Sequence, residues 1–191
     1  MVKKTLFTAL SLLLTYNTYK LTTILFELPP ETFSLLAIIV SAIALNFLIT
    51  GAVAFLGFVY PTSRFLSNSY YKIKNLETLN LFYKWLGVDF FRLFLLKTFY
   101  RKKDNQRYFN GRKSGVLLFD YNTRQSEFGH LIALILVFAL SLVLLLEGHK
   151  YVFIWMQPLN ILLNLYPIIL QRKHRIIVER LIERIDNKKR I

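Results

Sequence analysis

Residues 32–63 contain no Asp, Glu, Lys or Arg. A hydrocarbon core about 30 Å thick is crossed by roughly 20 helical residues, so this run is long enough to span a bilayer. In lipid the backbone must satisfy its own hydrogen bonds, which makes the spanning form a helix. Residues 151–171 are a second uncharged run, and residues 131–146 are almost wholly Leu, Ile, Val, Ala and Phe. Apolar residues make up 54% of the chain and charged residues only 19%. Because the apolar residues are gathered into blocks, the chain reads as an all-α integral membrane protein.

The pattern predicts about four spans, near residues 5–26, 33–59, 130–146 and 151–170, within a single membrane domain. The first is the weakest. Lys20 inside it costs about 2.5–3.5 kcal/mol on an insertion scale unless its stem snorkels to the interface. The basic start Met1-Val2-Lys3-Lys4 resembles a secretory signal, but no small-x-small cleavage site follows, so a retained helix is expected. A proline-broken acidic turn, Glu27-Leu28-Pro29-Pro30-Glu31, joins the first two spans. Residues 61–128 form a cytosolic or interfacial segment. Within it, residues 81–100 mix Trp, Phe and Tyr with Lys84, Asp89, Arg92 and Lys97, which suits an interfacial amphipathic helix. Residues 115–120 read as a short strand or extended connector, and residues 171–191 as a basic, partly helical tail.

The net charge of +14 belongs to topology. The N-terminus holds 2 Lys or Arg, the segment between spans two and three 13, and the tail 8. Lys20 lies within a span, which leaves only Lys150 on the other side. The positive-inside bias then puts both termini in the cytosol of a multi-pass cell-membrane protein. Basic residues beside spans also attract anionic lipid headgroups, so the partners expected are membrane lipids and a lipid-like substrate, not nucleic acid. No oligomeric state is implied. The absence of cysteine excludes disulfides and thiolate metal sites.

Polar residues at span ends invite functional readings. Glu127 and His130, three residues apart, share a helical face at the entrance of the third span. Asn164, Gln171, Arg172 and Arg175 follow one another at the exit of the fourth. The turn Glu147-Gly148-His149-Lys150 is so short that the two spans must be antiparallel neighbours, roughly 8–10 Å apart. Counting along each helix sets His130 level with Gln171. On this reading His130 is a general base toward a hydroxyl, Glu127 orients it, and Arg172 and Arg175 hold a phosphate or carboxylate. The same residues also suit plainer roles: a helix N-terminal charge, an interfacial imidazole and ordinary positive-inside arginines. A di-iron reading of Glu-x-x-His needs a second such helix, and none is present. Gly-rich phosphate loops, Gly-x-Ser-x-Gly and zinc spacings are also missing, so no metal and no bound cofactor are expected.

Three motifs carry a resemblance. Thr123-Arg124-Gln125-Ser126 leads into Glu127-x-x-His130 at the head of an apolar helix. Asn164-x6-Gln171-Arg172-x2-Arg175 closes the last span. Lys84-Trp85-x-Gly87-Val88, continuing to Arg92 and Lys97, precedes both. Together they resemble the glycosyl-4,4'-diaponeurosporenoate acyltransferase family, membrane enzymes that attach a fatty acyl chain to the sugar of a glycosylated C30 carotenoid. The resemblance covers about residues 84–181. It implies acyl transfer at the cytosolic leaflet; acyl-CoA or a similar donor, with His130 and Glu127 catalytic, is our own assignment within that expectation. The same assignment, which is ours and not the family pattern's, has Asn164, Gln171, Arg172, Arg175, Trp85 and Arg92 contact substrate. The rival readings are another lipid- or isoprenoid-modifying membrane enzyme, such as a methyltransferase or reductase, and a non-enzymatic lipid-binding subunit.

Overall fold

The structure is a computed structural model that describes residues 2–73, 75–88, 93 and 113–188. Among these residues every regular element is helical. Helix α1 (Val2–Glu27) is followed by a 3-10 turn at Pro30–Thr32, α2 (Leu35–Gly57), a second 3-10 turn at Thr62–Phe65, α3 (Asn68–Tyr71) and α4 (Leu76–Trp85). Then come α5 (Lys113–Leu146), α6 (Lys150–Asn160), a π turn at Ile161–Leu165 and α7 (Tyr166–Lys188). Three helices are long and apolar enough to cross a membrane: Leu35–Gly57, Lys113–Leu146 and Lys150–Asn187. The expected first span is helical over its whole length but is less apolar than these three.

Two further expectations change. The helix of the third span begins at Lys113, so residues 115–120 are helical rather than extended. An Asp120–Arg124 ion pair of 2.9 Å at i,i+4 spacing supports that first stretch. The basic tail continues the fourth span as one helix instead of forming a separate short one. Most of the interfacial helix expected over residues 81–100 lies outside the described residues; α4 ends at Trp85, and a turn at Leu86 and Gly87 follows it.

The chain forms two compact units. The first comprises residues 1–62 and 128–167. Ser34 starts α2 by accepting a hydrogen bond from Ala37 N at 3.2 Å. Helices α1 and α2 lie antiparallel: Thr8 meets Tyr60, Phe7 meets Phe55 and Phe58, and Ser11 Oγ donates to Ala52 O at 2.8 Å. Small residues permit this approach, since a Cβ on Gly51 would stand 2.8 Å from Leu14 Cδ1. Leu25, Ala42, Leu45, Val137, Leu144 and Met156 are fully buried where α1, α2, α5 and α6 pack. Leu36, Phe47, Ile135, Phe138 and Ile154 face outward, as lipid-facing side chains do.

The α5–α6 turn ends α5 in a Schellman arrangement. His149 N donates to Leu144 O at 2.9 Å and Gly148 N to Leu145 O at 3.1 Å. Gly148 takes φ +89°, a left-handed backbone that a residue with a Cβ resists.

The second unit comprises residues 63–127 and 168–191. Ser67 and Asn75 cap α3 and α4. Ser63 is bonded twice: its N–H donates to Gln125 Oε1 at 2.6 Å, and its carbonyl accepts from Tyr71 Oη at 3.0 Å. Lys113 and Asp186 pair at the far end of the same unit.

Candidate active site

In the first unit the antiparallel register of α5 against α6 and the π turn places polar residues opposite one another. Gln157 Nε2 donates to Ser141 Oγ at 2.8 Å, and Asn160 Nδ2 to Leu134 O at 3.0 Å. One step further, His130 Nδ1 lies 3.2 Å from Asn164 Oδ1. Asn164 Nδ2 is 2.9 Å from Asn160 Oδ1 and 3.1 Å from Thr50 Oγ1 on α2. Asn160 and Asn164 are buried, while His130 is half-buried.

The partner of His130 is therefore Asn164, seven residues before the expected Gln171. A chain that reverses at Gly148 has equal path lengths on both sides, which brings residue 130 opposite residues 164–166. Counting from Tyr151 skips the turn and overshoots. The π turn itself sits where Pro167 has no N–H for the preceding turn, and Tyr166 N donates five residues back to Ile161 O.

In the second unit the Glu127 carboxylate is fully buried between two arginines. Arg172 Nε donates to Oε1 at 2.8 Å and Arg175 Nη2 to Oε2 at 2.6 Å. Arg175 is itself buried, with Nη1 donating to Tyr71 O at 3.2 Å and Nε 3.8 Å from Asp120. The two guanidinium groups also stack on rings, Arg172 over Tyr70 at 4.8 Å and Arg175 over Tyr71 at 5.0 Å. Arg172 differs in keeping 32% of its side chain exposed. Burial, reinforced by the Glu127 charge, pushes the Tyr71 phenol up to about 12. Burial does the same to Tyr83, again to about 12, against the opposing pull of Arg172. The Tyr83 hydroxyl is buried without a hydrogen-bond partner among the described residues.

The expected cluster thus divides. Glu127, Arg172 and Arg175 come together, whereas His130 and Asn164 belong to a separate network. Gln171 is partly exposed on α7, and Trp85 is 82% exposed at the end of α4. Arg92 lies outside the described residues. Sequence reasoning missed Thr50, Asn160, Tyr70, Tyr71, Tyr83 and Asp120 as members of these networks. For Asn160 a signal existed, a second buried amide at i,i+4 from Asn164 in an apolar span. Among the described residues no three His, Asp or Glu side chains converge as a metal site.

An all-helical membrane protein with a hydrogen-bonded imidazole and an arginine-held carboxylate is the class these features define. The family model for glycosyl-4,4'-diaponeurosporenoate acyltransferase matches residues 67–184, and the chain belongs to that family. It is an acyltransferase-type enzyme of carotenoid biosynthesis. The match takes in both motif clusters and leaves α1 and α2 outside it. No curated protein and no solved structure matches the chain.

Proposed function

We propose that the protein esterifies a sugar hydroxyl of a glycosylated terpenoid with a fatty acyl group at the cytosolic leaflet, with an acyl-CoA-type thioester as donor. The observation that carries this reading is His130, a half-buried residue whose imidazole is tied through Nδ1 to a buried amide. In the proposed step the sugar oxygen attacks the acyl carbonyl carbon while its proton passes to His130. The new C–O bond forms, the C–S bond breaks, and His130 returns the proton to the departing thiolate, giving ester and free thiol. Arg172, exposed enough to meet solvent, is the arginine suited to donor phosphates. Arg175 and Glu127 hold it in place instead of touching substrate, so Glu127 serves the arginines and not the imidazole.

The same reading takes α1 as a fourth span. It is about 39 Å long at 1.5 Å per residue and runs antiparallel to α2. Leu12, Leu13, Tyr16 and Ile24 face outward from it. Both termini and the basic segments then share the cytosolic side.

The chain has no cysteine, so single cysteines introduced at Lys3, Lys150 and Lys188 report topology directly. Only Lys150→Cys is expected to react with an impermeant maleimide added outside intact cells; labelling of Lys3→Cys would remove the fourth span. For the activity, proteoliposomes given radiolabelled palmitoyl-CoA and a glucosyl diaponeurosporenoate should form the acylated sugar ester. Absence of that product with either long- or branched-chain acyl-CoA would refute the reading.

A further inference from the structure

The polar groups beside His130 can be assigned as donors and acceptors one after another, starting from a backbone carbonyl. Leu134 O can only accept, so Asn160 turns its Nδ2 toward it at 3.0 Å. Asn160 then presents Oδ1 to Asn164 at 2.9 Å, and an amide oxygen has no proton to give. Asn164 must therefore face Asn160 with Nδ2. Thr50 Oγ1 lies 3.1 Å from that Nδ2, to accept its second hydrogen, and 3.3 Å from Oδ1, to which its own hydroxyl can donate. The remaining atom, Oδ1, faces His130 Nδ1 at 3.2 Å. Reversing the Asn164 amide would set two oxygens against each other in a buried site, since Asn160 is 2% exposed and Asn164 0%.

From this chain we infer that Asn164 is a positioning residue, anchored by Asn160 and Thr50, that fixes the neutral His130 ring as the Nδ1–H tautomer and leaves the Nε2 lone pair for the substrate hydroxyl. The inference rests on His130 being the base of the proposed reaction. It replaces substrate contact as the role of Asn164. An acceptor at Nδ1 suits a ring that becomes positively charged when it takes a proton.

Two measurements test it. In lipid-reconstituted protein with nitrogen-15 histidine, at a pH where the ring is neutral, the His130 signal is found by subtracting the His130→Gln spectrum. The expected result is a proton on Nδ1, moving to a mixture or to Nε2 in Asn164→Leu; an Nε2–H signal in the wild type would overturn the assignment. In the acyl-transfer assay, Asn164→Leu should lower kcat roughly 10–100-fold with KM for palmitoyl-CoA changed less than about threefold. Thr50→Val should lower kcat in the same sense and Thr50→Ser restore it. A wild-type kcat in both Asn164→Leu and Thr50→Val would overturn the positioning role. Full activity in His130→Ala would instead remove the base itself, while the spectrum still reports whether the hydrogen-bond chain exists.

Discussion

Replacing Glu127 with Leu should destabilise the protein more than any other single change in the second unit. The carboxylate is fully buried, and each oxygen is held by a guanidinium at 2.8 or 2.6 Å. Removing it leaves Arg175, whose side chain is only 1% exposed, as a buried charge without its nearest counterion. Breaking a buried pair in this way costs about 3–5 kcal/mol. Arg175 would keep Tyr71 O, the Tyr71 ring and the more distant Asp120, and Arg172 is exposed enough to turn to water. Those remaining contacts put the expected loss near the lower end, about 3 kcal/mol. At roughly 2–4 °C per kcal/mol for a chain of this size, the melting temperature should fall by about 6–12 °C. Removing both charges in Glu127→Leu with Arg175→Met should recover most of that loss, because well-packed apolar replacements of buried pairs are often near neutral. Thermal unfolding of detergent-purified protein, followed by tryptophan fluorescence, measures both variants. An unchanged melting temperature in Glu127→Leu, or no recovery in the double variant, would refute the buried-pair reasoning.

Three further outcomes follow from single contacts. Tyr71 and Tyr83 have folded-state values near 12 against an unfolded 10.0, so both hold their protons more tightly when folded. Their contribution is complete below pH 10 and lost as pH rises through 12; a phenolate absorbance titration showing all tyrosines ionised by pH 10.5 in folded protein would contradict this. Gly148→Ala forces a Cβ onto a residue at φ +89° and to 3.3 Å from Pro30 Cγ, so thermal unfolding should show a loss of about 1 kcal/mol or more, and an unaltered midpoint would count against the turn geometry. Arg172→Gln should raise KM for palmitoyl-CoA about tenfold while the melting temperature falls less than in Glu127→Leu; an unchanged KM would remove Arg172 from donor binding.

The uncharged runs made α2, the second part of α5, α6 and the start of α7 legible, because only a helix lets such a run cross lipid. Gly148 and the four-residue turn likewise announced an antiparallel pair. The start of α5 was not legible. Residues 113–120 hold only a four-residue apolar run between charges, too short to tell helix from strand, and their helix rests on contacts within the second unit that periodicity does not display. In the site, convergence of Glu127 with Arg172 and Arg175 followed from the short turn and the positions of opposite charges. Asn164 belonged to the expected cluster, but its bond to His130 was not legible, because the count along the helix began beyond the turn. Thr50 could not be found at all, since its bond to Asn164 joins positions 114 residues apart. Lys20 weakened the first span in sequence; its ammonium lies 5.6 Å from the Tyr16 ring, a partner four residues back on an exposed face.

The most direct test of His130 as the base of an acyl transfer is product mass spectrometry on reconstituted wild-type and His130→Ala protein, matched for amount and melting temperature. The wild type should convert the glucosyl diaponeurosporenoate to its acyl ester, and His130→Ala should form it at least about 100-fold more slowly. Equal product from the two proteins would contradict the role of His130, and no ester from either would contradict the reaction.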